Sequence, residues 1–479
     1  MQSWRASGLV FGASAAVLML EVIAGRLMAP YVGVSLETFT GIIGTVLAGI
    51  AVGAGVGGTL ADRHDPRGLI GPALILGGAL TWASLPILRV LGPGVGSGAG
   101  AIVFLTAAAF LAPATVLSAV SPMVTKLRLS DLDETGSVVG GLSAAGTIGA
   151  IVGTFATGFV LVAALPSRPV VLLIGGVLVA VGIAVSWRLG RRGPTVAMAA
   201  GLVVAGAGAL LLAPPCERET AYFCANVERD EDRPSGRSLI LDRTRHAHVD
   251  LEDPTYLDIR YVRLFAAVTA AASIETDTPL DVLHLGGGGF TFPGYVAAVR
   301  PGSQQLVLEI DPDLVEIATD ELGLELDDDL RVRVGDARLA LEEQDTDAYD
   351  LVLGDAFAST SVPWHLTTVE VMEQIDRMLR PDGMYVMNVI DGGPNRYARS
   401  QLATLDAQFD HVAVVVPTGG LPERGSVNQV LIASDSPIPD LEIDPLDGTV
   451  LRGDDVRRFI GDARVLTDDF APVDQLLAR

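Results

Sequence analysis

The stretch 282–297, VLHLGGGGFTFPGYVA, decides how this chain is read. A strand-like run enters four consecutive glycines and leaves as a helix-like run. Glycines at such a turn let the backbone come close to a ligand and open the next helix. Outward from it, strand-like runs recur at LDVLHLG, QQLVLEID, LRVRVGDA, YDLVLGDA and GMYVMNVI, with helical patterns such as PDLVEIATDEL and TTVEVMEQIDRML among them. This alternation predicts a parallel sheet with helices on both faces, an α/β Rossmann-like domain of methyltransferase type. HVAVVVP and NQVLIAS read as a closing antiparallel pair. SLILD and HAHVDL, separated by RTR, read as a small β-hairpin element before the main domain.

In such sheets, ligands sit at the carboxyl ends of the strands. The first strand ends in Gly286, Gly287, Gly288 and Gly289, the second at Glu309, the third at Asp336 and Ala337, and the fourth at Asp355. An acid about twenty residues beyond the glycines suits the two hydroxyls of a ribose. A carboxylate after the third strand can accept from an exocyclic amine of adenine. Each acid could equally cap the helix that follows it. The succession of glycines, Glu, Asp and Asp at four strand ends points to one adenosine-type ligand.

The other part of the chain is built differently. Apolar segments at roughly 7–28, 39–61, 69–92, 99–124, 138–164, 169–187 and 195–213 are each long enough to cross a hydrocarbon core as helix. Small-residue runs such as GIAVGAGVGG and AAGTIGAIVG permit close helix contact in lipid. The expected organisation is an N-terminal α-helical membrane bundle of about seven spans over 1–213. A linker with two cysteines follows over 214–235, and the α/β domain covers 236–479. Up to Ala213 the chain has 11 Lys+Arg against 7 Asp+Glu; beyond it, 22 against 50. Lys126 is the only lysine. So acidic a surface suggests salt adaptation (a halophilic source), with compositional drift as the alternative. It also excludes a nucleic-acid partner, which needs a basic face. The His and Cys spacings give no metal site.

Arg5, Arg63, Arg67, Lys126, Arg128, Arg188, Arg191 and Arg192 fall on one set of loops, which predicts that set to be cytoplasmic. Seven spans then put the acidic half outside the cytosol, where Cys216 and Cys224 could pair; buried free thiols are the other reading. Glu21 and Arg26, within or near the end of the first span, are read as a structural pair, interface residues, or the lining of a polar site.

The order GGGG, LEID, VGDA, YDLVLGDAF and PWHLTTVEVM resembles the spermidine synthase family, the polyamine aminopropyltransferases, and in particular its branch fused to a multi-spanning membrane region. The resemblance implies transfer of an aminopropyl group from decarboxylated S-adenosylmethionine to an amine, releasing methylthioadenosine. It implies that Glu309 holds the ribose, that Asp336 and Ala337 contact the adenine, and that Asp355 is the catalytic acid of the family's motif. Deprotonating the attacking amine beside the sulfonium carbon suits a carboxylate. Tyr256 and Asp258 match the outer letters of the family's Tyr-His-Glu-like triplet, and His246 falls where the family often has Gln. The resemblance also implies a homodimer.

The departures lie on the amine side. The family's glycine turn carries an aspartate where this chain has Gly289 followed by Phe290, and the middle letter of the triplet is Leu257. The expected function is a membrane-bound aminopropyltransferase-like enzyme, in contact with the lipid bilayer and a small-molecule amine acceptor of open identity. A methyltransferase using intact S-adenosylmethionine and a non-catalytic nucleoside or polyamine sensor or transporter are the alternatives, because fold alone does not choose among them.

Overall fold

The computed structural model describes residues 2–96, 98–129, 135–189, 215–272, 278–356, 362–420 and 426–477. The chain divides into two compact units, Met1–Ala225 and Asn226–Arg479. The division falls inside the segment expected as a linker.

Among its described residues, the first unit contains six helices long and apolar enough to cross a membrane. They are α1 (Ser3–Val32), α2 (Leu36–Arg63), α3 (Pro66–Gly94), α4 (Ala99–Arg128), α5 (Thr135–Leu161) and α6 (Ser167–Arg188). The seventh expected span, 195–213, lies outside the described residues. Glycines set the helix contacts. A Cβ on Gly149 or Gly153 of α5 would overlap the backbone of Phe11 or Ala15, so α1 and α5 pack backbone to backbone in parallel. Gly53 and Gly57 of α2 meet Thr115 and Ala119 of α4 in the same parallel sense. Gly71 and Gly78 of α3 meet Ser186 and Gly175 of α6, an antiparallel pair. The starts of α1, α3 and α5 therefore share one face of the bundle with the ends of α2, α4 and α6.

The strands β1 (Arg218–Glu219) and β2 (Cys224–Arg229) pair antiparallel, and a disulfide joins Cys216 to Cys224. This segment lies on the opposite face of the bundle. Glu219 accepts hydrogen bonds from the backbone N–H of Ser167 at 2.9 and 3.0 Å, which caps the first turn of α6. The same carboxylate pairs with Arg26 near the end of α1 at 3.3 Å, and Arg26 also donates to the carbonyls of Val162 and Thr220. Arg26 thus finds its acid in Glu219, and the structure gives it no bond to Glu21.

In the second unit, β3 (Gly236–Leu241) and β4 (Thr244–Asp250) pair antiparallel. The main sheet has the order β12-β10-β11-β9-β8-β5-β6-β7. Its strands are β5 (Asp281–Leu285), β6 (Gln304–Glu309), β7 (Leu330–Val334), β8 (Tyr349–Gly354), β9 (Leu379–Asp391), β10 (His411–Val416), β11 (Val427–Ser434) and β12 (Thr449–Arg452). β5 to β9 run parallel, while β11, β10 and β12 close the edge antiparallel. Both faces are buried. One packs Leu283, Leu285, Val352 and Tyr385 against helices that include α11 (Val369–Met378) and α12 (Arg396–Asp406); the other packs Val282, Leu351 and Leu353 against α7 (Arg260–Ala271) and α8 (Thr291–Val299). The strand order reverses between β5 and β8, so a crevice forms there at their carboxyl ends.

The close helix contact makes a prediction. Gly149→Val forces α5 away from α1 and lowers the stability of the first unit by about 1–3 kcal/mol. It should reduce the monodisperse fraction and thermal midpoint of detergent-purified protein, whereas Gly140→Val, where a Cβ meets nothing within 4 Å, should leave both unchanged.

Candidate functional site

The glycine turn follows β5 directly. Gly286 takes a φ of +96°, and a Cβ there would approach the Asp355 carbonyl oxygen to 2.6 Å. A side chain is excluded both by conformation and by the adjoining strand. Phe290, the residue before α8, is itself left-handed at φ 56° and buried, and its ring lies against Gly287.

Glu309 ends β6, and its buried carboxylate reaches back to that turn. Its Oε2 accepts from the N–H groups of Gly287 at 2.8 Å and Gly288 at 3.2 Å, and its Oε1 accepts from the Asp311 N–H at 2.9 Å. The acid therefore fixes the turn's backbone. Oε2 already accepts two of these bonds, while Oε1 retains acceptor capacity for a further donor such as a hydroxyl. Asp311 is buried at the N-terminus of α9 (Pro312–Glu321) and accepts from the Asp313 N–H at 3.1 Å.

Asp336 follows β7. Its Oδ1 accepts from the Arg338 N–H at 2.8 Å, capping α10 (Ala337–Leu341), and its Oδ2 lies 3.4 Å from His365 Nε2. Ala337 is buried in the first turn of that helix. Capping and presentation at the strand end occur together here, so the two sequence readings of this acid are compatible.

Asp355 follows β8 beside the glycine turn, where its N–H donates to the Leu285 carbonyl at 2.9 Å. Tyr261 on α7 donates its hydroxyl to Oδ2, and Asn388 on β9 donates from Nδ2 to Oδ1, both at 2.8 Å. Asn388 in turn accepts from Asn428 Nδ2 at 3.0 Å. Burial pushes the Asp355 carboxyl above its ordinary value, while the bonds from Asn388 and Tyr261 oppose that rise. Burial, with the charge and hydrogen bond of Asp355, holds the Tyr261 phenol well above its ordinary value, so it remains a donor.

The remaining sequence-derived residues gather elsewhere. Tyr256 donates to Asp258 at 3.4 Å, Asp258 pairs with Arg245, and the Arg233 guanidinium stacks 3.7 Å above the Tyr256 ring. Neither Tyr256 nor Asp258 bonds to Asp355 among the described residues; Tyr261 does. Burial lowers His246 to about 4, so it is neutral at pH 7. Its neighbour Ala247 packs so tightly on the glycine turn that a Cβ on Gly289 would overlap the Ala247 methyl. An acid at 289 has no room in this backbone. Sequence reasoning missed Tyr261 and Asn388. The only available signals were a tyrosine opening an apolar helix and an asparagine near the end of an otherwise apolar strand. Among the described residues, no group of His, Cys, Asp and Glu has a metal-binding arrangement.

No family model matches the chain. It is 30% identical over 141 residues to the polyamine aminopropyltransferase of Vibrio vulnificus (strain CMCP6), covering 29% of this chain and 46% of that protein. It is 25% identical over 165 residues to the eEF1A lysine and N-terminal methyltransferase of Danio rerio, covering 33% and 23%. The chain thus spans less than half the length of these curated relatives. A probable spermidine synthase from Corynebacterium glutamicum ATCC 13032 superposes with a TM-score of 0.49 at 27% identity, over 53% of this chain and 97% of that one. The aminopropyltransferase relative supports a link to the spermidine synthase family.

Replacing Glu309 tests the geometry of the turn. Glu309→Ala strands three backbone donors and should cost about 1–3 kcal/mol of stability for each that stays unsatisfied. Urea denaturation should report the loss as a lower midpoint.

Proposed function

We propose that the second unit is a transferase acting on a sulfonium nucleoside, with aminopropyl transfer from decarboxylated S-adenosylmethionine to an amine as the reaction. The observation that carries this reading is the Asp355 carboxylate, oriented by Tyr261 and Asn388 at the strand-reversal crevice beside a glycine turn tied to Glu309. Glu309 would receive the ribose hydroxyls, and Asp336 and Ala337 the adenine edge. Asp355 accepts a proton from the acceptor ammonium. The freed nitrogen lone pair attacks the propyl carbon bonded to sulfur, and the C–S electron pair returns to sulfur as a neutral thioether. Burial makes Asp355 a stronger base than an exposed carboxylate, and the two fixed donors keep its lone pairs aimed. Holding donor and acceptor in line supplies much of the remaining acceleration.

A diamine needs an acid at each end of its path, and the overlap of Gly289 with Ala247 leaves one of those acids without room. The acceptor we infer is therefore not a short dication such as putrescine. Methyl transfer from intact S-adenosylmethionine is the second reading, favoured by the similarity to a methyltransferase. Purified protein supplied with each donor and a panel of amines separates them: methylthioadenosine supports aminopropyl transfer, S-adenosylhomocysteine supports methylation, and neither product sinks both.

The base assignment has its own test. Asp355→Asn should lower turnover about 100- to 10,000-fold while nucleoside affinity stays within a few fold. The wild-type rate should fall as pH drops through a value above the ordinary carboxylate range. Because the folded-state value is raised, the stability that this group adds is present at low pH and lost as pH rises through it.

We further propose that the first unit lies in a bilayer with the α1 start in the cytoplasm. Arg5, Arg63, Arg67, Lys126, Arg128 and Arg188 share that face. Cys216–Ala225 is fastened to the other face through Glu219, Arg26 and Ser167, so on this orientation we place that loop outside the cytosol. The disulfide fits that compartment. In intact cells a cysteine introduced at exposed Tyr222 should react with a membrane-impermeant maleimide and one at exposed His64 should not. The reverse pattern would invert the orientation.

A further inference from the structure

The first unit has an open cleft of about 650 Å³ lined by α1, α2, α4 and α5, which no step of the proposed reaction uses. Its lining is graded along the bundle. At the mouth, on the face of the α2 and α4 ends, stand Asp62 and Lys126, paired at 2.7 Å and both largely exposed. Further along are the hydroxyls of the partly buried Ser14, Ser118 and Ser121 and of the exposed Ser143 and Thr147, interspersed with Val10, Leu117 and Leu142; none of these hydroxyls has a hydrogen bond among the described residues. At a rise of about 1.5 Å per residue, Ser121 is about 10 Å and Ser118 about 15 Å from the α4 end at Arg128. Val17 and Ile50, at about 20 Å from the same face, close the deep end with apolar surface.

Hydroxyls without partners inside a membrane-spanning bundle face either a polar occupant or water. The order of the lining decides between occupants. A small ion or soluble metabolite has no use for an apolar deep end, and an acyl chain alone leaves the hydroxyls unsatisfied. Charge at the mouth, hydrogen-bonding groups next and hydrocarbon last is the sequence of chemistries along a glycerophospholipid. The charged lining is one acid and one base, which matches a headgroup carrying one ammonium and one phosphate. We propose that this cleft binds a single zwitterionic glycerophospholipid with a primary-amine headgroup. Its ammonium donates to Asp62, its phosphate accepts from Lys126, and its ester and glycerol oxygens meet the serines and Thr147. A quaternary ammonium cannot donate to Asp62, and an anionic headgroup leaves that acid facing a like charge. The inference rests on the bilayer placement of the first unit but on neither its orientation nor the chemistry of the second.

The test is native mass spectrometry of the delipidated full-length chain in detergent, titrated with dioleoyl phosphatidylethanolamine, phosphatidylglycerol, phosphatidylcholine and free phosphoethanolamine. The expected result is one phosphatidylethanolamine per chain, bound at least tenfold more tightly than the other three. Asp62→Asn and Lys126→Met should each weaken it at least fivefold, and Ser143→Leu, which fills the hydroxyl zone, should abolish the specific adduct while circular dichroism remains unchanged. Equal binding of the three lipids, equal binding of free phosphoethanolamine, or indifference to all three substitutions would overturn the assignment. A chain that stays monodisperse without detergent would instead defeat the bilayer placement.

Discussion

The site of the second unit depends on one carboxylate reaching across two strands. Glu309 belongs to β6, yet its oxygens accept the N–H groups of the turn after β5. Backbone amides at a tight glycine turn have no ladder partners, and burying them unpaired would be costly. By satisfying them, Glu309 holds the floor of the crevice in one conformation before any ligand arrives. The neighbouring bond from the Asp355 N–H to the Leu285 carbonyl keeps β8 in step with that turn. The two acids sit where they do because parallel strands end in a row, and the row is kept level by these bonds.

Much of this was legible in the sequence. Gly286 to Gly288, Glu309, Asp336 and Asp355 could be placed at strand ends because an alternating α/β pattern reveals where each parallel strand stops. Tyr261 and Asn388 could not. One comes from the helix that precedes β5 and the other from within β9, and only the folded sheet brings them to Asp355. The family resemblance pointed instead to Tyr256 and Asp258, which the fold commits to Arg233 and Arg245. The missing acid at Gly289 was visible as a letter, but its cause was not. The hairpin strand β4 lays Ala247 on the turn, and contact of that kind between elements leaves no periodicity to read.

The first unit shows a similar division. Six of the seven apolar spans read from length and composition stand as long helices among the described residues, and the bias of arginine toward one set of loops was also readable. The partner of Arg26 was not, because Glu219 lies 193 positions further along the chain in a short loop closed by a disulfide. A carboxylate that caps α6 and meets an arginine of α1 gathers two helix ends, and both charges are spared isolation near a low-dielectric region. If the second unit does operate outside the cytosol, its nucleoside must be delivered there, since sulfonium nucleosides are made inside cells.

The Gly289–Ala247 contact also constrains how this site can change over time. An aspartate gained at 289 alone collides with the hairpin, and a bulkier residue at 247 alone pushes the turn out of place. A side chain can therefore enter at 289 without moving the backbone only after position 247 has become glycine, the one residue smaller than alanine. The two positions are coupled, so neither can change in size without the other.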